Sequence, residues 1–226
     1  MEDEIDMMLE NPIVYLYMVP AILLSLSFHE FSHAFVAFKL GDPTARNLGR
    51  LTLNPLKHLD ILGTIMLIVA RFGWAKPVPV NPSYFNDRRK GTILVSVAGP
   101  LSNVVLAFIS YIPMMYFRIY FSSFGSPLGI VSVIYNLSMW FYVININLAV
   151  FNILPVPPLD GSKILSGILP PRQYFKMVQY ENYIAVVFLL LLFIWPGILS
   201  TIMSPFVWVI NTAIEFLAGP IVKLLL

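Results

Sequence analysis

Four long stretches of this sequence carry no charged side chain, and they constrain the fold more than any other feature. They cover residues 11–28, 91–117, 119–159 and 182–214. A helix needs about 20 mostly apolar residues to cross a lipid bilayer. Charged residues make up only 12% of the chain, whereas a typical soluble domain has about 25%. The sequence therefore predicts an integral membrane protein that contacts the lipid bilayer along most of its length.

The uncharged stretches predict an all-α polytopic fold with about 4–6 transmembrane helices. We expect helices at about residues 12–40, 91–117 and 130–154, and either one kinked helix or two at about 182–222. Gly41-Asp42-Pro43 is expected to end the first helix, because glycine and proline continue a helix poorly. The acidic tip, residues 1–10, is expected to be a short exposed tail and not a signal peptide, which would begin with basic residues.

Two shorter segments lie between the first two predicted spans. Residues 61–70 are apolar but too short to cross a membrane, so they are predicted to form a re-entrant or interfacial segment. Residues 74–80 alternate valine with proline or lysine, which predicts an extended edge strand, since proline is excluded from central strands. Such an edge can pair with an extended peptide, although Pro77 and Pro79 each lack a donor. A rigid loop that contacts no peptide is the alternative.

The positions of Lys and Arg predict the orientation of the chain. Cytoplasmic loops of membrane proteins are enriched in these residues. With the N-terminus outside, nine of them from Lys39 to Lys90 and three from Lys163 to Lys176 lie on the cytoplasmic side, and Arg118 lies outside. This bias fits a prokaryotic plasma membrane. The formal net charge of +2 is too small to indicate a nucleic-acid partner.

The first predicted span contains His29-Glu30-Phe31-Ser32-His33, the pattern H-E-x-x-H. Residues four apart share a helical face, so both imidazoles can bind one zinc ion. Glu30 can then act as general base on a zinc-bound water, whose pKa falls to about 7. In a soluble helix the same pattern is often a solvated surface. Here the motif lies about 27 Å along a helix that begins at Pro12, which places it inside the membrane. Ionisable groups at that depth are costly and indicate function.

A catalytic zinc usually has three protein ligands and one open position. The chain has no cysteine, and its third histidine, His58, lies in a charged loop. Such a histidine is more often a surface or structural residue than a ligand. Asp160 is the better candidate, because it follows a proline-rich turn, and unwound backbone is tolerated at membrane depth only inside protein or beside a wet cavity. The alternative is an N-cap or surface Asp160 that marks the membrane exit.

Four motifs follow one another along the chain. They are His29-Glu30-Phe31-Ser32-His33, Leu40-Gly41-Asp42-Pro43-Thr44-Ala45, Ala98-Gly99-Pro100-Leu101-Ser102-Asn103 and Asn152-x-x-Pro155-x-Pro157-Pro158-Leu159-Asp160-Gly161. Together they resemble the site-2 protease family of intramembrane zinc metalloproteases, over about residues 20–165. The resemblance implies one zinc ion held by His29, His33 and Asp160, with Glu30 as catalytic base. It also implies a three-helix catalytic core within about residues 12–165 of a single domain, residues 1–226.

Members of that family cleave transmembrane or membrane-anchored proteins inside the bilayer, so the resemblance implies such substrates here, cut near the cytoplasmic side. Asn103 and Asn152 lie in apolar predicted helices, where a buried amide must find a partner. Both are candidate catalytic residues, with a role in polarising the scissile carbonyl. The alternative is a structural role, in which their amides form hydrogen bonds between helices. Asn152 is favoured because it is close to Asp160. Asn145 and Asn147 are expected to be helix contacts.

Two other functions fit part of the pattern. A metal-ion transporter or sensor would also use intramembrane His and Asp, but it needs a polar path that residues 91–117 and 183–214 hardly offer. An inactive relative that binds membrane partners would not need the complete set of His29, Glu30, His33 and Asp160.

Overall fold

The computed structural model describes residues 12–63, 66, 73–125, 129–170, 172–173, 176 and 179–226. Within these residues the α-helices are α1 (Pro12–Lys39), α2 (Thr44–Asn47), α3 (Arg88–Phe124), α4 (Ile130–Ile153), α5 (Asp160–Ile168), α6 (Glu181–Ile194) and α7 (Pro196–Leu225). Short 3-10 turns occupy Pro55–Lys57 and Pro82–Tyr84. The predicted acidic tail at residues 1–10 and most of the predicted re-entrant segment at residues 61–70 lie outside the described residues.

Four of the described helices, α1, α3, α4 and α7, are long and apolar enough to cross a membrane. The prediction of an all-α polytopic membrane protein is confirmed. The helices α1 and α4 begin and end within one residue of the predicted bounds. The helix α3 extends beyond the uncharged stretch at both ends, because the basic residues that flank the stretch continue the helix.

The C-terminal apolar region is divided into two helices. Trp195 has φ −135° and ψ 76°, outside the helical region, and Pro196 begins α7. Proline lacks the N–H that would continue the α6 ladder but is well placed in the first turn of a new helix. Two helices, and not one kinked helix, therefore follow residue 180, and α6 is the shorter of them.

The N-terminus of α3 is capped by Asp87, whose carboxylate accepts a hydrogen bond from the Lys90 backbone N–H at 3.0 Å. This bond lowers the pKa of the exposed Asp87 carboxyl. The neighbouring Arg89 guanidinium donates to the carbonyls of Gly167 and Leu169. The start of α3 is thereby attached to the end of α5, which fixes the helix that begins with Asp160.

Two clusters of buried side chains show how α7 packs. One joins α3, α4 and α7 through Ala107, Tyr111, Met114, Ile146, Ile214, Ala218 and Val222. The other joins the end of α4 to the start of α7 through Val150, Leu154, Leu159 and Met203. The early part of α7 thus lies beside the end of α4, and its later part lies beside the second half of α3. Hence α7 runs parallel to α3 and ends on the membrane side where α1 begins.

The prediction of an edge strand near residues 74–80 is wrong. Among the described residues this segment is extended but forms no strand, and its pairing is a single antiparallel bridge between Leu59 and Ala75. Pro77 and Pro79 have no N–H. The intervening donors are used inside the chain, since Lys76 N–H donates to the His58 carbonyl at 2.8 Å and Val78 N–H donates to a side chain. The segment has too few donors left for a ladder.

Candidate active site and metal centre

Three buried side chains from two helices meet at one point. His29 and His33 lie one turn apart on α1, and Asp160 is the first residue of α5. His29 Nε2, His33 Nε2 and Asp160 Oδ2 form a triangle in which each pair of atoms is 3.0 Å apart. Two ligand nitrogens about 2.0 Å from a tetrahedral zinc ion lie about 3.3 Å apart. The three ligand atoms therefore fit a single zinc ion after small outward shifts.

The far sides of both imidazoles are held by acceptors. His29 Nδ1 donates to Asn103 Oδ1 at 2.6 Å, and His33 Nδ1 donates to the Val95 carbonyl at 2.7 Å. Each Nδ1 therefore bears a proton, so in the neutral rings the lone pair is on Nε2, the nitrogen that faces the centre of the triangle. Ligating histidines in metal sites make this same outer hydrogen bond.

Gly99 provides the space in which the two rings meet. A Cβ at this position would lie 2.5 Å from His33 Nε2 and 2.6 Å from His29 Nε2. Any side chain there would clash with the two nitrogens that could bind a metal ion. Gly161 allows a second close approach, because a Cβ there would lie 2.1 Å from the Ile153 carbonyl oxygen. The turn before α5 can therefore pack against the end of α4, and this contact brings Asp160 toward α1.

Asp160 is neither an N-cap nor a surface residue. The N-cap of α5 is Leu159, and the Asp160 side chain is buried. Its Oδ2 faces the two histidines, while its Oδ1 lies 3.9 Å from Lys163 Nζ. The Pro157–Pro158 peptide is cis. The proline-rich turn separates α4 from α5, and Asp160, the first residue of α5, has its carboxylate buried.

Glu30 is buried beside His29 of the metal-capable group and is held by the extended segment that follows Ala75. Its Oε2 accepts a hydrogen bond from the Val78 backbone N–H at 2.8 Å. The segment is itself fixed, because the Arg50 guanidinium donates to the Lys76 carbonyl at 2.6 Å. Further along, the Asn81 N–H donates to Asp42 Oδ2 at 2.7 Å. Arg50 and Asp42 thus hold the two ends of the segment whose Val78 N–H orients the carboxylate that would act as base.

His58 is not part of the metal-capable group found among the described residues, which contains His29, His33 and Asp160. It is only 2% exposed, and its Nε2 lies 2.8 Å from the Thr52 carbonyl oxygen. Its own carbonyl binds the Lys76 N–H. His58 is therefore a structural residue of the loop, not a surface residue.

The asparagines differ in their surroundings. Asn103 binds His29 at one end, and its Nδ2 donates to Asn145 Oδ1 of α4 at 2.7 Å. Its geometry thus favours the interhelical alternative over an oxyanion site. Asn152 Nδ2 donates to the Leu148 carbonyl of its own helix at 2.9 Å. Asn147 likewise binds the Val143 carbonyl in α4, whereas Asn145 connects helices as expected.

Four groups of this site are not predicted by the sequence patterns. They are the Val95 carbonyl, Gly99, the Val78 N–H and Ser25, whose Oγ accepts a hydrogen bond from Asn145. The glycine could have been singled out, because it lies in a motif on an apolar helix, where glycine is unfavourable without a packing reason. The two backbone groups leave no signal in the residue type. Ser25 is one turn before His29, a position that composition alone does not distinguish.

A large apolar cavity adjoins the turn that carries Asp160. It has a volume of about 710 Å³ and lies between α6, α7 and the end of α4. Its walls include Leu154 and Val156 of the turn, Phe188 of α6 and Leu199 of α7. The cavity can accept hydrophobic side chains next to the turn that precedes Asp160.

Comparisons with known proteins identify a family and several relatives of this chain. The family model described as "Peptidase family M50" matches residues 113–195, which include Asp160. "Putative zinc metalloprotease YwhC" of Bacillus subtilis is 45% identical over 184 residues, covering 80% of this chain and 81% of the relative. "Putative zinc metalloprotease Rip2" of Mycolicibacterium smegmatis is 32% identical over 78% of this chain and 68% of its own length. "Putative zinc metalloprotease MJ0611" of Methanocaldococcus jannaschii is 34% identical over 68% of this chain and 71% of its own length. No solved structure matches.

Proposed function

Because this chain belongs to peptidase family M50, the site-2 protease family of zinc metalloproteases, we propose that it is an intramembrane endopeptidase with Glu30 as general base. The proposed substrates are transmembrane or membrane-anchored proteins, cut near the cytoplasmic side. One observation supports this more than any other. The metal-binding triangle of His29, His33 and Asp160 lies inside a bundle of apolar helices, with Glu30 in the same turn of α1.

The ligand set leaves room for chemistry. Three protein ligands leave a fourth position open, as in catalytic zinc sites. Zinc bound there would act as a Lewis acid, lowering the pKa of water and polarising the scissile carbonyl. Glu30 takes a proton from the attacking water and delivers it to the leaving amine. The Val78 N–H holds the Glu30 carboxylate in place between these two proton transfers.

The asparagines have different proposed roles. Both ends of the Asn103 amide are bonded, so we propose no direct contact between Asn103 and substrate. Asn152 is held by one described bond of its amide nitrogen, to the Leu148 carbonyl. Exchange of that bond would allow its amide to donate to the scissile carbonyl as negative charge develops. Asn152→Ala should then lower kcat and leave zinc binding unchanged.

The surroundings of the site support membrane substrates. Apolar side chains are exposed along the outer surfaces of the long helices, for example Leu16, Leu101 and Trp208. Such surfaces are stable when they contact lipid. A substrate helix in the same bilayer would reach the site laterally and unwind, because a helix keeps its own carbonyls hydrogen-bonded. The apolar cavity beside Asp160 offers space for its side chains.

The test uses purified protein in proteoliposomes with a panel of single-span reporter peptides of varied sequence. Wild type should cleave at least one of them. Glu30→Gln should keep about one zinc ion per chain and lose cleavage, because the amide cannot take a proton. Glu215→Gln in α7 is the matched control, since it makes the same change outside the site, and it should cleave as wild type. Equal cleavage by Glu30→Gln would overturn the base assignment. Equally fast cleavage of the same peptides without their membrane segment would overturn the intramembrane substrate class.

A further inference from the structure

A buried chain of polar side chains crosses three helices and ends on His29. Asn145 of α4 donates to Ser25 Oγ of α1 at 2.8 Å. Asn103 of α3 donates to Asn145 Oδ1 at 2.7 Å, and Asn103 Oδ1 faces His29 Nδ1 at 2.6 Å. Ser25, Asn103 and Asn145 are all 0% exposed. Each bond therefore lies in surroundings where no water can replace a lost partner.

The orientations of the two asparagine amides, Asn103 and Asn145, follow from one backbone group. The Phe141 carbonyl oxygen lies 2.8 Å from the Asn145 side chain and can only accept. The atom of Asn145 that faces it is therefore the amide nitrogen, and the oxygen must face Asn103. That oxygen also only accepts, so Asn103 presents its nitrogen to Asn145 and its oxygen to His29.

The consequence for His29 is a fixed tautomer. An amide oxygen 2.6 Å from Nδ1 requires the proton to be on Nδ1. In the neutral ring, His29 Nε2 then carries the lone pair, and it faces His33 and Asp160. With the opposite tautomer, Nε2 would carry a hydrogen at the position that a metal ion needs.

His33 reaches the same state by a simpler route. Its Nδ1 donates directly to the Val95 carbonyl, a backbone acceptor that no side-chain substitution removes. The two ligating histidines thus differ. The tautomer of His33 is fixed by the main chain, whereas the tautomer of His29 depends on two asparagine side chains that lie on two other helices.

From these contacts we infer that Asn103 is a positioning residue which, held by Asn145, keeps His29 in the tautomer and ring orientation required of a metal ligand. This inference rests on the metal site proposed above. It also links helix packing to metal binding, since α1, α3 and α4 must be in register for the chain of bonds to close.

The test measures zinc affinity and histidine tautomer in detergent-solubilised protein. Affinity is obtained by competition with a chromophoric chelator. Tautomers are obtained from nitrogen-15 NMR of metal-free protein labelled at histidine, at a pH high enough for both rings to be neutral. The chain has only three histidines, so few side-chain signals arise. Asn103→Leu should weaken zinc binding about 10- to 100-fold, the usual effect of losing an outer partner of a ligand. It should also shift His29 toward the Nε2–H tautomer and leave His33 unchanged.

Two further variants keep the result interpretable. Asn145→Leu does not touch His29, and it should change affinity and tautomer in the same direction but less. If Asn103→Leu does not fold, the result for Asn145→Leu alone tests the positioning role. Asn211→Leu is the matched control, because it removes another hydrogen bond between helices, from Tyr142 of α4 at 3.0 Å. It should leave both readouts unchanged.

Three results would overturn the inference. The first is wild-type affinity and tautomer in folded Asn103→Leu. The second, where that variant does not fold, is wild-type affinity and tautomer in Asn145→Leu. The third is a loss of affinity in Asn211→Leu by the same factor. Asp160→Ala separates this failure from failure of the metal site. If wild type binds zinc and Asp160→Ala does not, unchanged binding by Asn103→Leu refutes only the positioning role. If wild type binds no zinc, the proposed function itself fails.

Discussion

The Val78 backbone N–H donates a hydrogen bond to Glu30 Oε2 across 2.8 Å, which joins residues 48 positions apart in the sequence. The donor lies between two prolines, Pro77 and Pro79, that fix the local backbone and cannot themselves donate. Arg50 holds the carbonyl of the preceding Lys76. The segment predicted to be an edge strand is instead a rigid support for Glu30, which lies beside His29.

Removal of this donor should slow catalysis without releasing metal. Val78→Pro eliminates the N–H, and a hydrogen bond to a charged group contributes about 1.5–3 kcal/mol. We therefore expect kcat for the reporter peptides to fall about 10- to 100-fold, with zinc content unchanged. Val78→Ala keeps the N–H and should cleave at nearly the wild-type rate. Faster cleavage by Val78→Pro would mean that the contact restrains Glu30 instead of supporting it.

A methyl group at position 99 should exclude the metal ion. Gly99→Ala would place a Cβ within 2.6 Å of Nε2 of both histidines. We expect zinc binding to be lost while the helical circular dichroism is retained. Gly219→Ala in α7 is the control, because a Cβ there meets nothing within 4 Å, and alanine favours a helix by about 0.5–1 kcal/mol over glycine. Wild-type zinc content in Gly99→Ala would show that the ion binds elsewhere.

The third ligand can be identified by zinc content alone. Asp160→Ala removes the only carboxylate of the metal-capable group among the described residues and should lose zinc or bind it much more weakly. His58→Ala should retain about one zinc ion per chain, because His58 Nε2 faces the Thr52 carbonyl. The reverse pattern, with zinc kept by Asp160→Ala and lost by His58→Ala, would refute the assignment.

The absence of cysteine allows the membrane orientation to be tested with single thiols. Ser83→Cys should react from the cytoplasmic side with a reagent that cannot cross membranes. Ser122→Cys and Lys223→Cys should react only from the opposite side, because α7 runs parallel to α3. All three positions are exposed at helix ends or in a loop. Labelling of positions 83 and 223 from one side would contradict the direction assigned to α7.

The pattern of apolar and charged residues was sufficient to predict the helices. Transfer of a side chain into lipid depends on its own chemistry, so uncharged stretches of the right length predict spans without knowledge of their neighbours. The same holds for His29 and His33, since a spacing of four residues places two side chains on one face of any α-helix. Glu30 follows from that local pattern as well. The proline-rich turn makes Asp160 a candidate ligand, and the family resemblance favours it over the alternative of a surface residue.

Only the tertiary structure decided how distant groups meet. Asp160 lies 131 residues from His29, and no local pattern says that a turn after α4 brings its carboxylate to α1. The expected strand at residues 74–80 is absent because Pro77 and Pro79 have no N–H and the Val78 N–H is used by Glu30. Alternation in the sequence cannot reveal that contact. Asn103 could equally have been a catalytic or a packing residue until its two ends were seen on His29 and Asn145. The sequence determined which side chains are available and on which helices they lie, because these properties are local. Packing determined which of those side chains share a site, because hydrogen bonds depend on atoms that are close in space.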